Sequence, residues 1–514
     1  LSLICNCFEF GMYSCCVNYL TFNCLLTLVL LCPLSLFAET HSDQEEEVPI
    51  EEIVVYGRSL AQKGISKSAS EGLVGYSDFS TRPIERVGEF VEVVPGMVAA
   101  QHSGEGKANQ YFLRGMNLDH GTDFSAFFMG MPINMRAHAH GQGYLDLNFL
   151  IPEIISTVRF AKGPYRADRG DFSTAGTTTF NIYEEVDSPY IKVEFGSDNH
   201  LRSLAVGSLD FNKGVMLSAL EVMKSDGPWV LPADVDKVNF LTQYTLDLKD
   251  TEIKTALTVY DNNWNSTDQI PQRQVLGGAM GRFGYVDPSL GGDSSRLNMV
   301  FGLSNDSYSA GLYVSRYKLN LFGNFTYFQE DPVNGDSHEQ VDKRWIYGGH
   351  FELRRELTSR VNLRVGTDLR SDQISEVSLH SVENRIRLGL VRQDNVEWLS
   401  LGVFAELEID ISDKLRSLFG VRTDYSDYDV LSNLSDNSGR GSDDIWLPSI
   451  GFAYEVGRFG EVYLNWGKGF HSNDVRGATI AFDPLSNNEL EPVALFSGQD
   501  GAEVGYRIER DDDL

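Results

Sequence analysis

The sequence predicts a mainly β protein in which a compact N-terminal domain is followed by a long antiparallel barrel. In the stretch 110–182, short apolar segments alternate with Gly-rich turns, a pattern too compact for a helical domain. From Pro189 onward, apolar and polar residues alternate with period two in roughly 14–16 segments, which is typical of strands. Several of these segments reach the about 9–11 residues that a tilted membrane-spanning strand needs.

Composition narrows the classes of function. The chain has 514 residues and a formal net charge of −30, so nucleic acid is not expected as a partner. All six cysteines precede Pro33. If that segment is removed, no disulfide framework, thiolate metal site or cysteine nucleophile is expected.

The first 57 residues show the features of an export signal and a linker. An apolar run from Cys24 to Phe37 is shorter than the about 20 residues of a spanning helix and ends at Ala38, which predicts a signal peptide over 1–38. Residues 39–50 are acidic and polar, as in a solvated linker. A short group of strand-forming residues follows without an adjacent partner: Glu51, Glu52, Ile53, Val54, Val55, Tyr56 and Gly57. Such a segment can pair with the sheet edge of another protein, or it can form the first strand of its own domain.

Residues 82–94 have the spacing of a short amphipathic helix. Ile84, Val87 and Val91 recur at helical intervals with charged residues between them. Pro95 and Gly96 end the pattern. We expect this helix to belong to the scaffold of the domain.

The segment INMRAHAHGQGY carries the most unusual side chains of the central stretch. On a strand, His138 and His140 would lie on one face, with Met135 nearby in sequence. Imidazole together with thioether suits copper, whereas imidazole alone suits zinc or nickel. Alternatively, the histidines satisfy buried backbone groups or form a hydrogen-bonded gate.

The second part of the chain has strands with one apolar and one charged face. Val361, Leu363 and Val365 alternate with Asn362 and Arg364, and the segment 401–411 shows the same alternation. Such strands fit between lipid and a watery lumen, although a soluble sandwich gives the same pattern. The polar stretches 261–294 and 427–444 are predicted to be mobile loops.

Five pieces of sequence, in this order, resemble the plug domain of TonB-dependent outer-membrane receptors. They are VVPGM at 93–97, FLRGMN at 112–117, MGMPIN at 129–134, the segment 151–176 and TTTFNI at 177–182. The resemblance implies an α+β plug over 58–186 inside a transmembrane barrel over 187–514. Barrels of this family have about 22 strands, so C-terminal strands are expected to be missing here.

The resemblance also implies a mechanism, partners and site residues. Glu51–Gly57 looks like a TonB box, which would dock on TonB, driven by ExbB and ExbD in the envelope of a Gram-negative cell. The outer face of the plug is where such receptors first hold ligand, and the candidate contacts there are Met116, His120, Met135, Arg136, His138 and His140. The family makes tight plug turns at Gly115, Gly130 and Gly163.

The expected function is therefore active import of a scarce ligand across the outer membrane, foremost a metal chelate such as a ferric siderophore. The alternative is uptake of free or loosely chelated copper or zinc by the Met/His cluster. A ligand sensor ranks lower, because residues 38–51 leave no room for an added signalling domain. An enzyme ranks lowest, since the sequence has no nucleophile elbow and no P-loop. No resident cofactor is expected, although the transported ligand could contain iron, copper or zinc.

Overall fold

The computed structural model describes residues 70–508, apart from positions 83, 85, 102, 103, 458 and 459. The predicted signal peptide, the linker and the TonB-docking segment Glu51–Gly57 lie outside the described residues. Across the described part of the chain, no helix has both the length and the apolar character needed to cross a bilayer.

The N-terminal domain contains two small sheets and short helices. Its strands are β1 (Glu71–Gly75), β2 (Met97–Ala100), β3 (Gln110–Leu113), β4 (Met116–Asn117), β5 (Phe124–Phe128), β6 (Met131–Pro132), β7 (Ile155–Lys162) and β8 (Gly176–Ile182). Its helices are α1 (Tyr76–Phe79) and two 3-10 helices, Val87–Val93 and Pro152–Ile154. The larger sheet has the order β1-β7-β8-β5-β6, and β2, β3 and β4 form the smaller one.

The segment predicted as an α-helix over 82–94 instead forms the 3-10 helix Val87–Val93. Three of its seven residues are valines, which lose rotamer freedom in an α-helix because they are β-branched. Gly88 also lies so close to Asn109 that an added Cβ would be 1.9 Å from its Oδ1 atom. Buried Phe90 and Val91 anchor this turn in the core of the domain.

In the described residues from Tyr190 to Ile508, the second part of the chain forms one antiparallel sheet of fourteen strands in sequence order. The strands are β9 (Tyr190–Phe195), β10 (Leu201–Phe211), β11 (Gly214–Ser225), β12 (Val235–Leu248), β13 (Thr251–Asn265), β14 (Gly291–Ser304), β15 (Tyr308–Gly323), β16 (His338–Thr358), β17 (Val361–Glu383), β18 (Ile386–Ser412), β19 (Leu415–Ser432), β20 (Gly439–Glu455), β21 (Gly460–Ser472) and β22 (Phe496–Ile508). This number agrees with the strand count expected from the sequence alternation.

The side chains of this sheet are arranged with the apolar face outward. On β18, Leu399, Leu401 and Val403 are 46%, 41% and 45% exposed, whereas the alternate residues Ser400 and Glu406 are buried. A soluble sandwich would bury the leucines. The arrangement is that of a membrane barrel with a polar lumen, which resolves the ambiguity of the alternation.

The sheet curves around the N-terminal domain, which we therefore call the plug. Arg202 on β10 donates to Glu153 of the plug at 2.6 Å, and Arg114 of the plug donates to Glu503 on β22 at 3.3 Å. Contacts from strands near both ends of the sheet thus reach the same small domain. The plug lies in the lumen of a partial barrel.

The predicted loops are shorter than expected. Strand pairing continues to Asn265 and resumes at Gly291, and helix α2 (Gln272–Leu276) lies between them. The prediction of a loop over 427–444 is wrong, because β19 extends to Ser432 and β20 starts at Gly439. The polar side chains of this region alternate along a strand hairpin, a pattern that composition alone does not distinguish from a loop.

Candidate functional site

The two ends of the barrel differ in the length of their connections. At one end, which we call the short-turn end, two or three residues join the strands: 212–213, 249–250, 305–307, 359–360 and 413–414. The other end, which we call the long-loop end, carries the connections 226–234, 266–290, 324–337 and 473–495. Helix α3 (Val475–Ala478) belongs to the last of these loops.

The predicted histidines lie in a closed loop of the plug. An isolated antiparallel bridge between Met135 and Tyr144 closes this loop, residues 136–143, which we call the histidine loop. The prediction that His138 and His140 share one face of a strand is wrong, because Ala137 adopts a φ of +46° and breaks the extended backbone. The loop contacts Gln340, close to the long-loop end of β16.

His138 is completely enclosed. Its ring stacks on the ring of Tyr144 with 4.0 Å between centroids, and its Nδ1 atom accepts a hydrogen bond from the backbone N–H of His140 at 3.2 Å. Its Nε2 atom has no hydrogen-bond partner among the described residues and lies 3.9 Å from Asp342. Burial, assisted by the nearby charge of Arg344, holds the pKa of His138 well below its ordinary value. The ring is therefore neutral at physiological pH.

His120 and His140 adjoin the same tyrosine. Their ring centroids are 4.8 Å apart, and each lies within 6 Å of the ring of Tyr144, at 5.8 and 5.9 Å. The Nδ1 atom of His120 donates to the carbonyl oxygens of Ala108 and Asn109, which leaves the Nε2 lone pair on the other side of the ring. Burial lowers the pKa of His120. His140 is only half-buried, so it is the member of the group with the most access to solvent.

The other predicted contacts do not join this group. Met135 is fully buried in the plug core, and Met116 is 49% exposed on the β3–β4 hairpin. Arg136 donates to Asp171 of the plug at 2.8 Å and to Ser400 of the barrel wall at 2.7 Å. No set of three or more His, Cys, Asp or Glu side chains in the described part of the chain is arranged to hold a metal ion.

The three predicted turn glycines, Gly115, Gly130 and Gly163, all have positive φ, at 82°, 83° and 81°. At Gly130 an added Cβ would lie 2.6 Å from the Cε1 atom of His350 on β16. The absence of a side chain there lets the plug turn approach the barrel wall closely.

Three barrel arginines that the motif analysis missed hold the backbone of residues 133–136, which leads into the histidine loop. Arg370 donates to the carbonyl oxygen of Asn134 at 2.9 Å, Arg344 to that of Arg136 at 2.5 Å, and Arg296 to that of Ile133 at 3.4 Å. The sequence signal for two of them is an arginine two positions from an aspartate on one strand. Such a spacing puts both side chains on the lumen face, as in the pairs Arg344–Asp342 and Arg370–Asp372.

A second group of charges joins the plug to the wall nearer the short-turn end. Arg166 of the plug is held by Glu406, and Asp168 of the plug is held by Arg364 at 3.0 Å. Although burial alone would raise it, the charges of Arg169 and Arg364 hold the pKa of Asp168 below its ordinary value. Charged, hydrogen-bonded contacts thus fasten the plug to the wall, in addition to buried apolar clusters that plug and barrel side chains share.

Two family models match the chain. The one described as the TonB-dependent receptor plug domain matches residues 65–177, and the one described as a TonB-dependent receptor-like β-barrel matches residues 228–502. The second alone covers more than half of the 514 residues.

Three solved structures with similar folds have low sequence identity to the chain. The ferric citrate transporter FecA in the unliganded form has a TM-score of 0.66 at 13% identity over 79% of this chain and 63% of its own. The ferric yersiniabactin uptake receptor FyuA from Yersinia pestis has a TM-score of 0.65 at 14% identity, covering 86% and 70%. The copper transporter OprC has a TM-score of 0.62 at 14% identity, covering 82% and 65%. The likeness shows the fold alone, and the chain spans between 63% and 70% of the length of these proteins.

Proposed function

Because the chain belongs to the family of TonB-dependent receptors, we propose that it imports a scarce ligand across the outer membrane of a Gram-negative cell. The observation that carries the proposal is a plug held inside a lipid-facing barrel by ionic contacts such as Arg166–Glu406 and Arg364–Asp168. Buried pairs of this kind hold the plug at rest, and because their groups are charged, water can solvate them once the plug shifts. They suit a plug that must stay closed at rest and shift under force.

The proposed sequence of events runs from the long-loop end to the short-turn end. Ligand binds first among the long loops and on the histidine loop, which lies at that end of the barrel. The segment Glu51–Gly57 then pairs as an added strand with TonB, and ExbB and ExbD supply the energy that displaces the plug. Arg344 and Arg370, which hold the backbone before and within the histidine loop, connect the ligand face to the barrel wall.

A metal chelate such as a ferric siderophore is the cargo we favour. Two of the three structural neighbours are named as ferric chelate transporters. The entrance also offers hydrogen-bonding groups suited to a polar chelate. Among them are His140, Gln142 and Asn473, none of which is fully buried.

Uptake of copper or zinc ions is the second candidate, and one observation favours it. The rings of His120, His138 and His140 all lie around Tyr144, and neutral imidazoles are good ligands for both metals. The neighbour OprC is named as a copper transporter. Against this candidate, the described residues provide no three-ligand group, and Met135 is committed to the core.

Ligand binding by the intact receptor tests both candidates. We would compare ferric chelates with copper and zinc salts, using wild type, the double variant His138→Ala plus His140→Ala, and His200→Ala in the turn 196–200 as a control. Loss of copper or zinc binding in the double variant alone would favour the metal-ion candidate. Unchanged metal binding after both losses would remove it.

The energised step is tested separately. Deletion of Glu51–Gly57 is expected to abolish uptake into cells while binding of the same cargo at the cell surface stays at the wild-type level. Uptake that continues without this segment would contradict TonB-dependent import.

A further inference from the structure

A cavity of about 930 Å³ separates one face of the plug sheet from the barrel wall. Its wall residues include Ser309, Arg354 and Arg364, all within a few residues of the short turns 305–307 and 359–360. The cavity therefore extends toward the short-turn end from Arg136, the first residue of the histidine loop, which also lines it. Arg166, Asp168 and Arg364 of the ionic contacts line it as well, but the import scheme described above assigns no occupant to it.

The plug sheet presents a polar face to this cavity. Thr179 on β8 is paired with Phe127 on β5 and with Arg159 on β7, so these three residues form a row across the sheet. Their chain neighbours Phe128, Val158 and Phe180 point to the opposite face and are completely buried in the plug core. Two positions earlier on β5 and β8 are Ser125 and Thr177, which are paired with each other. Their hydroxyl-bearing side chains also line the cavity.

Two arginines lie at the ends of this row: Arg159, which is exposed and attracted by Glu71 and Asp168 from beyond ion-pair distance, and Arg169. The side chain of Arg159 makes no ion pair or hydrogen bond with any other residue in the described part of the chain. Arg169 lies over the ring of Phe127, with its guanidinium carbon 5.5 Å from the ring centroid. Its link to Asp168 spans 3.5 Å, and its Nε atom is buried without a partner among the described residues.

Four of the seven acidic residues that line the cavity accept hydrogen bonds from barrel arginines. Glu352 and Asp168 accept from Arg364 at 2.8 and 3.0 Å. Asp424 and Asp368 accept in the same way from Arg422, at 2.6 and 2.8 Å. Arg422 itself is only 2% exposed, yet its Nη1 atom has no partner in the described structure and its side chain lines the same cavity. Two guanidinium N–H groups, on Arg169 and Arg422, are thus buried without a partner among the described residues, beside one carboxylate oxygen, Oδ1 of Asp168.

Electrostatics favours an anion in this position. Burial and then the positive charge of Arg169 lower the pKa of Arg159, although Glu71 and Asp168 act in the opposite sense, so the two cations repel each other where they stand. An anion between them would remove that repulsion. Carboxylates and phosphates match the planar guanidinium group best, because each accepts two parallel hydrogen bonds from it.

We propose that this cavity is a binding site for a carboxylate or phosphate group, held between Arg159 and Arg169 above Thr179. Neighbouring strands lie about 4.8 Å apart, so Phe127 and Arg159 are separated by about 10 Å, a gap that the two long arginine side chains can close around one small anion. The anion has one of two sources. It is either an acidic group of the cargo in transit or a free anion that enters from the short-turn side. The first of these sources rests on the proposed import function.

Isothermal titration calorimetry of the intact receptor with inorganic phosphate tests the site without any cargo. The double variant Arg159→Gln plus Arg169→Gln is expected to bind phosphate about tenfold more weakly or worse, because both charged donors are lost. The matched control, Arg273→Gln plus Arg282→Gln, removes the same charge from exposed positions of the loop 266–290. Equal weakening in the control, or unchanged affinity in the site variant, would overturn the proposal.

Two further measurements separate the outcomes. The variant Arg159→Lys keeps the charge but loses the two parallel donors, so its affinity for phosphate is expected to lie between those of wild type and the double variant, which distinguishes loss of the site from misfolding. Uptake and surface binding of cargo by cells with the double variant then identify the source of the anion. Slower uptake at unchanged surface binding supports transit of an acidic cargo group, whereas unaltered uptake with lost phosphate binding overturns that assignment and leaves a free anion as the occupant.

Discussion

The guanidinium group of Arg166 donates hydrogen bonds of 2.6 and 3.0 Å to the two carboxylate oxygens of Glu406. Arg166 belongs to the plug and Glu406 to strand β18, so this bidentate pair joins the two parts of the molecule. The backbone N–H of Ala167 adds a third bond to the same carboxylate at 3.2 Å. Because Glu406 is only 2% exposed, any displacement of the plug must break a buried charged contact.

Replacement of this carboxylate should loosen the plug. In Glu406→Gln the charge of Arg166 loses its main partner, and we expect a loss of about 3 kcal/mol in the stability of the seated plug. The value is at the low end for a broken buried pair, because Glu71 still faces Arg166 at 3.4 Å. Hydrogen exchange of the amides in 163–175 measures the change.

The control for this variant is Glu397→Gln, since Glu397 is an exposed carboxylate on the same strand. Its exchange rates in 163–175 should equal those of wild type. Equal protection in Glu406→Gln and Glu397→Gln would show that the pair does not hold the plug.

Arg344 should control ligand affinity from the barrel side. Its guanidinium group donates to the carbonyl oxygens of Arg136 and Ala137, at 2.5 and 3.3 Å. In Arg344→Gln these carbonyl oxygens lose their donor, so the histidine loop gains conformational freedom. Cargo binding must then order the loop, which costs free energy. We expect surface binding of cargo to weaken about tenfold, the size of one charged hydrogen bond. The comparison is Arg316→Gln, an outward-facing arginine on β15, for which wild-type binding is expected.

The fold could be predicted from the sequence because a spanning strand must alternate. Leu399, Leu401 and Val403 have to face lipid, so every second position of such a strand is apolar. The hairpin around 433–438 was missed because the strand ends beside it, residues 426–429 and 439–444, are mostly Ser, Asp and Gly, so an apolar–polar alternation gives little signal there.

The candidate site could be predicted only in part. His138 and His140 are recognisable in the sequence, but their geometry depends on the left-handed backbone of Ala137. Alanine rarely adopts that conformation, so its presence does not predict such a turn. The arginines Arg344 and Arg370 carry a sequence signal, an aspartate two positions away. Their acceptors are plug carbonyl oxygens more than 200 residues distant, and no local pattern specifies those.

Acid should destabilise the plug through His138. Burial, and then the charge of Arg344, holds its pKa in the folded protein well below 6.5, the ordinary value that the unfolded chain retains. The folded state thus excludes a proton that the unfolded chain binds. Stability is therefore unaffected well above pH 6.5 and falls as the pH drops below it, by up to about 1.4 kcal/mol per pH unit for this one proton.

Urea unfolding of the purified receptor between pH 7.5 and 5.5 measures this slope. His138→Gln cannot bind the proton, so we expect it to have a shallower decline than wild type, with the remainder coming from His120 and other groups. His200→Gln should keep the wild-type slope. A slope that His138→Gln leaves unchanged would mean that the ring is not kept neutral by its surroundings.

The two methionines proposed from sequence as ligand contacts should differ in their effect on stability. Met135 is fully buried in the plug core, so Met135→Ala leaves a cavity and should lower the free energy of unfolding by about 2–5 kcal/mol. Met116 is 49% exposed on a two-residue strand, and Met116→Ala should change the free energy of unfolding by less than about 0.5 kcal/mol.

Urea unfolding and cargo binding are measured on both variants. If Met135 has a structural role, any loss of cargo binding in Met135→Ala should accompany its loss of stability. Met135→Leu refills the volume and should then restore the binding. Weaker binding in Met135→Leu at wild-type stability would instead point to a contact between the thioether and the cargo.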